Sequence, residues 1–385
     1  MRILFVTARH PFPPYRGDQV RAWHQLRLLS RRHQVTLFTL EQPAGAQAPD
    51  GVRVVPCAIG AASRAWSLAR HVFSGLPLQA ALFDSAAARA ALGRLTSEGF
   101  DVAHLQLVRL APLAPALAPV PCVVDFVDAL SLNIARRAER DLAPLRPLWR
   151  LEADRLRRAE AALIDRVSQG VVVSEADRQA MGGSDRLAVV PNGVDGERFA
   201  FAGRPRDNAD VVLTGNLGYF ANADAAAWFA RAVFPSVRRR VGGARFRIAG
   251  ARPGRGVRAL GRLDGVEVLG DVPDLAEPLR AARVAVAPLR AGSGQQSKML
   301  EAMACGTPVV ASPLAASGME VVPGEHLLVA DGAEATAEAV VRLLDDAALA
   351  ARLAANARRL VEERYTWESS VDRLERAYGR ARQAP

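Results

Sequence analysis

"ARVAVAPLRAGSGQQSKMLEAMACGTPVVAS", residues 282–312, reads as strand, loop, helix and strand. "ARVAVAPL" (282–289) is a short apolar run of the length and Val content of a strand buried on both faces. The loop "RAGSG" follows, where Gly292 and Gly294 let the backbone come close to a ligand. A helix is expected from about Gln295, with Met299, Ala302 and Met303 as its apolar stripe, and "TPVVAS" (307–312) is the next strand. Strand, crossover helix and strand together form the repeating unit of a parallel sheet.

The same alternation runs through almost the whole chain. "RILFVTA" (2–8), "QVTLFTL" (34–40), "GVRVVPC" (51–57), "DVAHLQL" (101–107), "PCVVDFVD" (121–128), "GVVVS" (170–174) and "RLAVVPNG" (186–193) read as strands of a first half. "DQVRAWHQLRLLSRR" spaces Ala22, Leu26 and Leu29 as one face of a helix, and 131–166 is a long Arg-rich helical region. The pattern restarts with "ADVVLTGN" from Ala209, then "ARFRIAG" (244–250) and "GVEVLG" (265–270). The halves meet near "FAGRPRDNAD" (201–210), a polar stretch of linker composition. The expected architecture is α/β: two Rossmann-like, doubly wound parallel-sheet domains facing across a cleft, with ligands beyond the carboxyl ends of the strands.

Composition limits what such a chain does. At 385 residues it exceeds one domain of about 100–200 residues. Half of the residues are apolar and no long uninterrupted apolar stretch is present, which argues against a membrane span. The N-terminal apolar run is too short for a signal-peptide core, so a cytoplasmic location is expected. Cys57, Cys122 and Cys305 are odd in number and scattered, so neither a disulfide frame nor a zinc site is indicated. A net charge of +10 invites a nucleic-acid partner, but the arginines are dispersed and no zinc-finger or RNA-binding signature occurs; no nucleic acid is expected. No G-x-G-x-x-G follows either leading strand, which argues against a nicotinamide-dependent dehydrogenase, and no cofactor is expected.

Of 50 Lys and Arg residues, Lys298 is the single lysine. It stands three positions before Glu301, so the two share one side of the expected helix. A helix start, a glycine loop, an ammonium and a carboxylate one turn later can together grip a phosphate and neighbouring hydroxyls. The same spacing also describes a solvated ion pair worth about 0.2–0.5 kcal/mol.

"KMLEAMACGTPVVAS" resembles the signature of the retaining GT-B glycosyltransferases of glycosyltransferase family 4. The likeness extends to "VVPNGVDGERF" (189–199), "LGDVPDLAEPLRAARVAVAPL" (269–289), "GEHLLVADGAEATAEAVVRLLDD" (324–346) and "RYTWESSVDRLERAYGRA" (364–381). "LTGNLGYFANADAAAWFARAVFP" (213–235) is similar to the branch of exopolysaccharide-associated sugar transferases. The resemblance implies an N-terminal acceptor domain over 1–200, a nucleotide-sugar donor domain over 201–365, and a last helix over 366–385 crossing back to the first domain.

Roles follow from the same resemblance. Glu301 matches the family's second glutamate, which holds ribose hydroxyls, while Ser293 stands where a glutamate near the donor sugar is usual. The family's Arg and Lys after the first strand of the second domain are missing from "TGNLGYFANAD", which leaves Lys298, with Arg290, to neutralise the diphosphate. Gly17, Gly215, Asn216, Gly292, Gly294 and Gln295 are expected to face the donor, and Gly270 and Val272 to read the base. Asp128 stands near the family's acceptor-side histidine and is the candidate for orienting the acceptor hydroxyl; a helix N-cap is the alternative. His104 reads as a packed strand-end residue and Asn192 as hinge or turn.

The implied reaction moves a sugar from a nucleotide-diphosphate sugar to a saccharide or lipid-linked saccharide, with retention of configuration. Charge develops on the departing diphosphate, so fixed cations and N–H groups are required there. No D-x-D pair occurs in a metal-site context, so metal-independent transfer is expected. "LRPLWRLEADRLRRAEAALIDR" (145–166) fits both an interfacial helix on an anionic membrane and a solvated Arg-rich helix. A non-catalytic sugar-nucleotide-binding paralogue and a GT-B-type epimerase are the alternatives.

Overall fold

The computed structural model describes residues 1–14, 16–42, 48–141, 143–201 and 207–384. They form two compact units, Met1–Pro191 with Ser370–Pro385, and Asn192–Ser369. Much of the expected linker 201–210 lies outside the described residues.

The first unit is built on seven strands: β1 (Arg2–Thr7), β2 (Gln34–Thr39), β3 (Val52–Pro56), β4 (Val102–Gln106), β5 (Cys122–Val127), β6 (Gln169–Val172) and β7 (Leu187–Val189). Every pairing is parallel, in the order β3-β2-β1-β4-β5-β6-β7. Ile3, Leu4, Phe5 and Val6 are all fully buried, as a central parallel strand requires. The helix Gly17–Leu29 carries the chain from β1 to β2 and buries Ala22, Leu26 and Leu29, the stripe that its spacing predicts. The chain adds strands on one side of β1 and then crosses to its other side at β4. Right-handed crossovers therefore put the two sets of helices on opposite faces and leave a switch point between β1 and β4.

The Arg-rich region 131–166 is two helices, Leu130–Arg140 and Arg146–Arg166. Pro144 and Pro147 explain the break, since neither can donate to a continuing helix; Pro147 sits in the first turn of the second helix, where no donor is needed. The helix Trp367–Gln383 reaches the first unit from Ser370 onward, where Ser370 Oγ donates to the Pro191 carbonyl at 2.5 Å.

The second unit repeats the plan with β8 (Asp210–Thr214), β9 (Arg245–Ala249), β10 (Val266–Gly270), β11 (Val284–Ala287), β12 (Val309–Ala311) and β13 (Leu328–Val329), all parallel in the order β10-β9-β8-β11-β12-β13. Its switch point lies between β8 and β11. Two Rossmann-like parallel-sheet units thus follow one another, as expected from the alternation. No helix among the described residues is long and apolar enough to cross a membrane.

Candidate functional site

At the carboxyl end of β8 the backbone is packed too tightly for any side chain. A Cβ on Gly250 would lie 1.7 Å from the Gly215 carbonyl oxygen, so both strand ends are held to glycine. A Cβ on Gly215 would in turn meet Asn222 Nδ2 at 3.0 Å and Lys298 Cε at 3.4 Å. The lone lysine therefore lies against the bare backbone at the end of β8.

Lys298 reaches that place from the helix Ser297–Ala304, which begins two residues later than the sequence suggests, with Gln296 at its N-cap. Met299, Ala302 and Met303 are buried as the expected stripe. Lys298 Nζ donates to Gln296 Oε1 at 2.9 Å, and Gln296 Nε2 reaches back to the Ser293 and Gly294 carbonyls at 3.2 and 3.3 Å. Gln296 thus ties the ammonium to the glycine loop. Loss of water around the half-buried ammonium lowers its pKa from 10.5 to about 8, against the opposing pull of Glu301. Burial raises the Glu301 pKa, opposed by the charges of Lys298 and Arg198.

Buried polar atoms near this strand end have no partner among the described residues. Thr214 Oγ1 is one, and its residue shares a small cavity with Lys298, Met299 and Ala287. Asn222 Oδ1 is another, while its Nδ2 donates to the Asn216 carbonyl at 2.9 Å. Gln295 Nε2 is the third; its Oε1 accepts from the Asn192 N–H at 2.6 Å. Buried groups left open in this way call for a ligand or water to complete them.

The other donor-side candidates spread around this centre. Asn216 Oδ1 accepts from the Gly218 N–H and shapes the turn after β8. Gly270, with φ of 68°, closes β10 and accepts from the Gly250 N–H at 2.8 Å, and Val272 is half-buried just beyond it. Gly292, Ser293 and Gly294 form the loop after β11. Arg290 is engaged by both oxygens of Asp224, at 3.0 and 2.6 Å, and lies over the Trp228 ring. Reaching a diphosphate would require sharing it with that carboxylate. Sequence reasoning missed Gln296, Asn222, Asp224 and Thr214, whose roles depend on which loops the fold brings together.

In the first unit, Gly17 is the first residue of its helix, and a Cβ there would meet nothing within 4 Å. Its backbone is therefore open on that side. Asp128 is half-buried, and its Oδ2 accepts from Asn133 Nδ2 at 3.2 Å. The N-cap of the following helix is Ala129, with no side-chain cap, so the N-cap alternative for Asp128 fails. Val127 just before it has φ of 66° and Leu107, at the end of β4, has φ of 76°. For a β-branched residue this is a true outlier, and strain of this kind gathers where ligands are handled. Asp125 is buried and bound by Arg21 Nε at 2.7 Å. Burial alone would raise its pKa; Arg21, then His104, outweigh that and leave it lowered. His104 is stacked on Phe5 with ring centroids 4.0 Å apart and hydrogen-bonded through Nδ1 to the Tyr378 hydroxyl at 2.9 Å. Burial lowers its pKa to about 4, which keeps the ring neutral, as suits a packed residue.

Two family models match this chain: Glycosyltransferase Family 4 over residues 15–198, and Glycosyl transferases group 1 over 208–346. The phosphatidyl-myo-inositol mannosyltransferase of Mycobacterium tuberculosis is 29% identical over 296 residues, covering 72% of this chain and 73% of the relative. Among solved structures, the sucrose-phosphate synthase of Thermosynechococcus elongatus superposes with a TM-score of 0.74 at 18% identity, over the full length of both chains. HepE of Anabaena in complex with UDP does so with 0.71 at 17% identity, over 98% of this chain and all of the other.

Proposed function

We propose that this chain, a glycosyltransferase of the GT-B fold, transfers a sugar from a nucleoside-diphosphate sugar to an acceptor hydroxyl with retention of configuration, as a step of exopolysaccharide or other glycoconjugate assembly. The second unit binds the donor. The observation that carries this reading is Lys298: a fixed, partly dehydrated ammonium at the sheet's switch point, against a glycine backbone and one turn from Glu301. As the bond to the diphosphate breaks, negative charge grows on the leaving group. An ammonium already held in place, with the first N–H groups of its helix, stabilises that charge without reorganising. Glu301 clasps the ribose hydroxyls, and the backbone from Gly292 to Gln295 lies beside the sugar. UDP in HepE supports a uridine donor, and the mannosyltransferase relatives make a mannosyl donor the second to try.

The first unit takes the acceptor, with Asp128 orienting the hydroxyl that attacks. A lipid-linked acceptor at the cytoplasmic face of a membrane is supported by an exposed apolar surface of that unit. Trp66 and Phe73 are 74% and 99% exposed on and after the helix Ala61–His71, and Leu145, Leu148 and Leu151 are exposed at the start of Arg146–Arg166. Arg155 joins the two, donating to the Val72 carbonyl at 2.8 Å.

The test is donor hydrolysis and transfer with UDP- and GDP-sugars, in EDTA. Activity should persist in EDTA, and Lys298→Ala and Glu301→Ala should each lower it by about a hundredfold or more. Wild-type rates in either variant refute the assignment, and no donor turnover by the wild type supports a non-catalytic binder instead.

A further inference from the structure

The side chain of Gln296 joins the Lys298 ammonium to the glycine loop, and its amide fits that place in one orientation only. Nε2 donates to the Ser293 and Gly294 carbonyls at 3.2 and 3.3 Å, and Oε1 accepts from Lys298 Nζ at 2.9 Å. Turned over, the amide would set its oxygen against two carbonyl oxygens and its NH2 group against a cation, losing all three bonds. The loop is held from another side as well. A Cβ on Gly318 would lie 2.4 Å from the Gly294 carbonyl oxygen, and Gly294 itself has a φ of 73°. That carbonyl therefore has little room to move, and Gln296 carries its position on to the ammonium. Gln296 is the N-cap residue of the helix Ser297–Ala304, yet its side chain makes no cap bond, so its amide serves the loop and the lysine instead.

A lysine ammonium on its flexible stem is a poor anchor unless something holds it before the ligand arrives. Few groups here do so. Glu301, itself acted on by Arg198, pulls from the next turn of the same helix. The end of β8 and the helix after it present Gly215, Thr214 and Asn222, and no other charged residue lines the cavity beside Lys298. We infer that Gln296 is a positioning residue for sugar transfer: it sets the Lys298 ammonium and the backbone of residues 293–294 in one fixed register, so that a donor meets the cation for its diphosphate and the loop beside its sugar already in place. The inference deepens the donor side of the proposed function and rests on it for that role. The bond to Gln296 uses one of the three ammonium N–H groups and leaves two for diphosphate oxygens.

Two replacements separate the parts of this arrangement. Gln296→Glu keeps an acceptor for the ammonium and makes it anionic, but loses the donors to the loop; Gln296→Leu loses both. Because Lys298 is the single lysine, the full chain labelled with carbon-13 at lysine Cε gives one such signal, and its pH titration reads this ammonium alone. Without ligand, the midpoint should move up by about one pH unit or more in Gln296→Glu, where an opposite charge is added, and down in Gln296→Leu, where the acceptor is lost. Loosened packing alone would not move the two variants in opposite directions. An unchanged midpoint in both overturns the inference. UDP-glucose, titrated calorimetrically, should bind each variant about tenfold or more weakly than the wild type. Wild-type affinity in both variants overturns the positioning role. If the wild type itself binds no UDP-glucose, the donor reading fails, and the midpoint shifts, measured without ligand, stand apart from that failure.

Discussion

An ammonium with a pKa near 8 is a cation that mild alkali removes. Lys298 is protonated below that value and loses its charge as pH rises through about 8. Donor affinity should therefore fall above pH 8 in the wild type, while Lys298→Arg, charged throughout, should bind without that step. Titrating a donor nucleotide from pH 6.5 to about 9.5 checks this. The linked effect on folding has the opposite sense: the unfolded chain holds this proton up to about 10.5, so the group's contribution to stability improves between about 8 and 10.5. Lys298 was legible in the sequence because a unique residue beside a glycine loop stands out, and Glu301 followed from its spacing. Thr214 and Asn222 were not, since common polar residues carry no signal until their neighbours are known. Arg21, fully buried against Asp125, was hidden for the same reason.

Elements that repeat the same composition in different places act differently. Arg155, counted among the basic residues of an interfacial helix, is turned inward to cap the Val72 carbonyl, and Arg157 pairs with Asp154. The exposed apolar side chains extend instead onto Ala61–His71 and the residues just after it, where no periodicity argument singled out Trp66 and Phe73. Their exposure depends on what the fold leaves uncovered, which sequence spacing does not encode. If this surface meets lipid, Trp66→Ser with Phe73→Ser should abolish co-sedimentation with anionic vesicles, with far-UV circular dichroism unchanged. Retention of full binding at low salt by that double variant would refute the surface. Strand positions were read because buried parallel strands are largely apolar, but several were read too long: 186–193 shortens to Leu187–Val189 and 282–289 to Val284–Ala287, where loop residues continue the apolar run. The two-residue β13 is too short to leave a pattern.

Across the molecule, the two strand orders give each sheet one reversal, between β1 and β4 in the first and between β8 and β11 in the second. The alternation of strands and helices made this doubled plan readable. The extent of each unit was less so, because a linker-like composition around 201–210 and the packing boundary at Pro191 and Asn192 are set by different forces, polarity in one case and contact density in the other. Tyr378 anchors the last helix in the first unit by its bond to His104. Tyr378→Phe leaves a buried ring nitrogen unanswered and should cost about 1–3 kcal/mol. Calorimetry should show one transition lowered, that of the first unit, with the second unchanged.

Ser370–Pro385 belongs with Met1–Pro191, which has a consequence for the order of synthesis. Residues 192–369 leave the ribosome before the segment that completes the unit begun first. The second unit can thus fold while the chain is still growing, whereas the first waits for the last helix to be released. A chain stalled before residue 370 would carry one finished unit and one with His104 still lacking its hydroxyl partner, a natural substrate for chaperones.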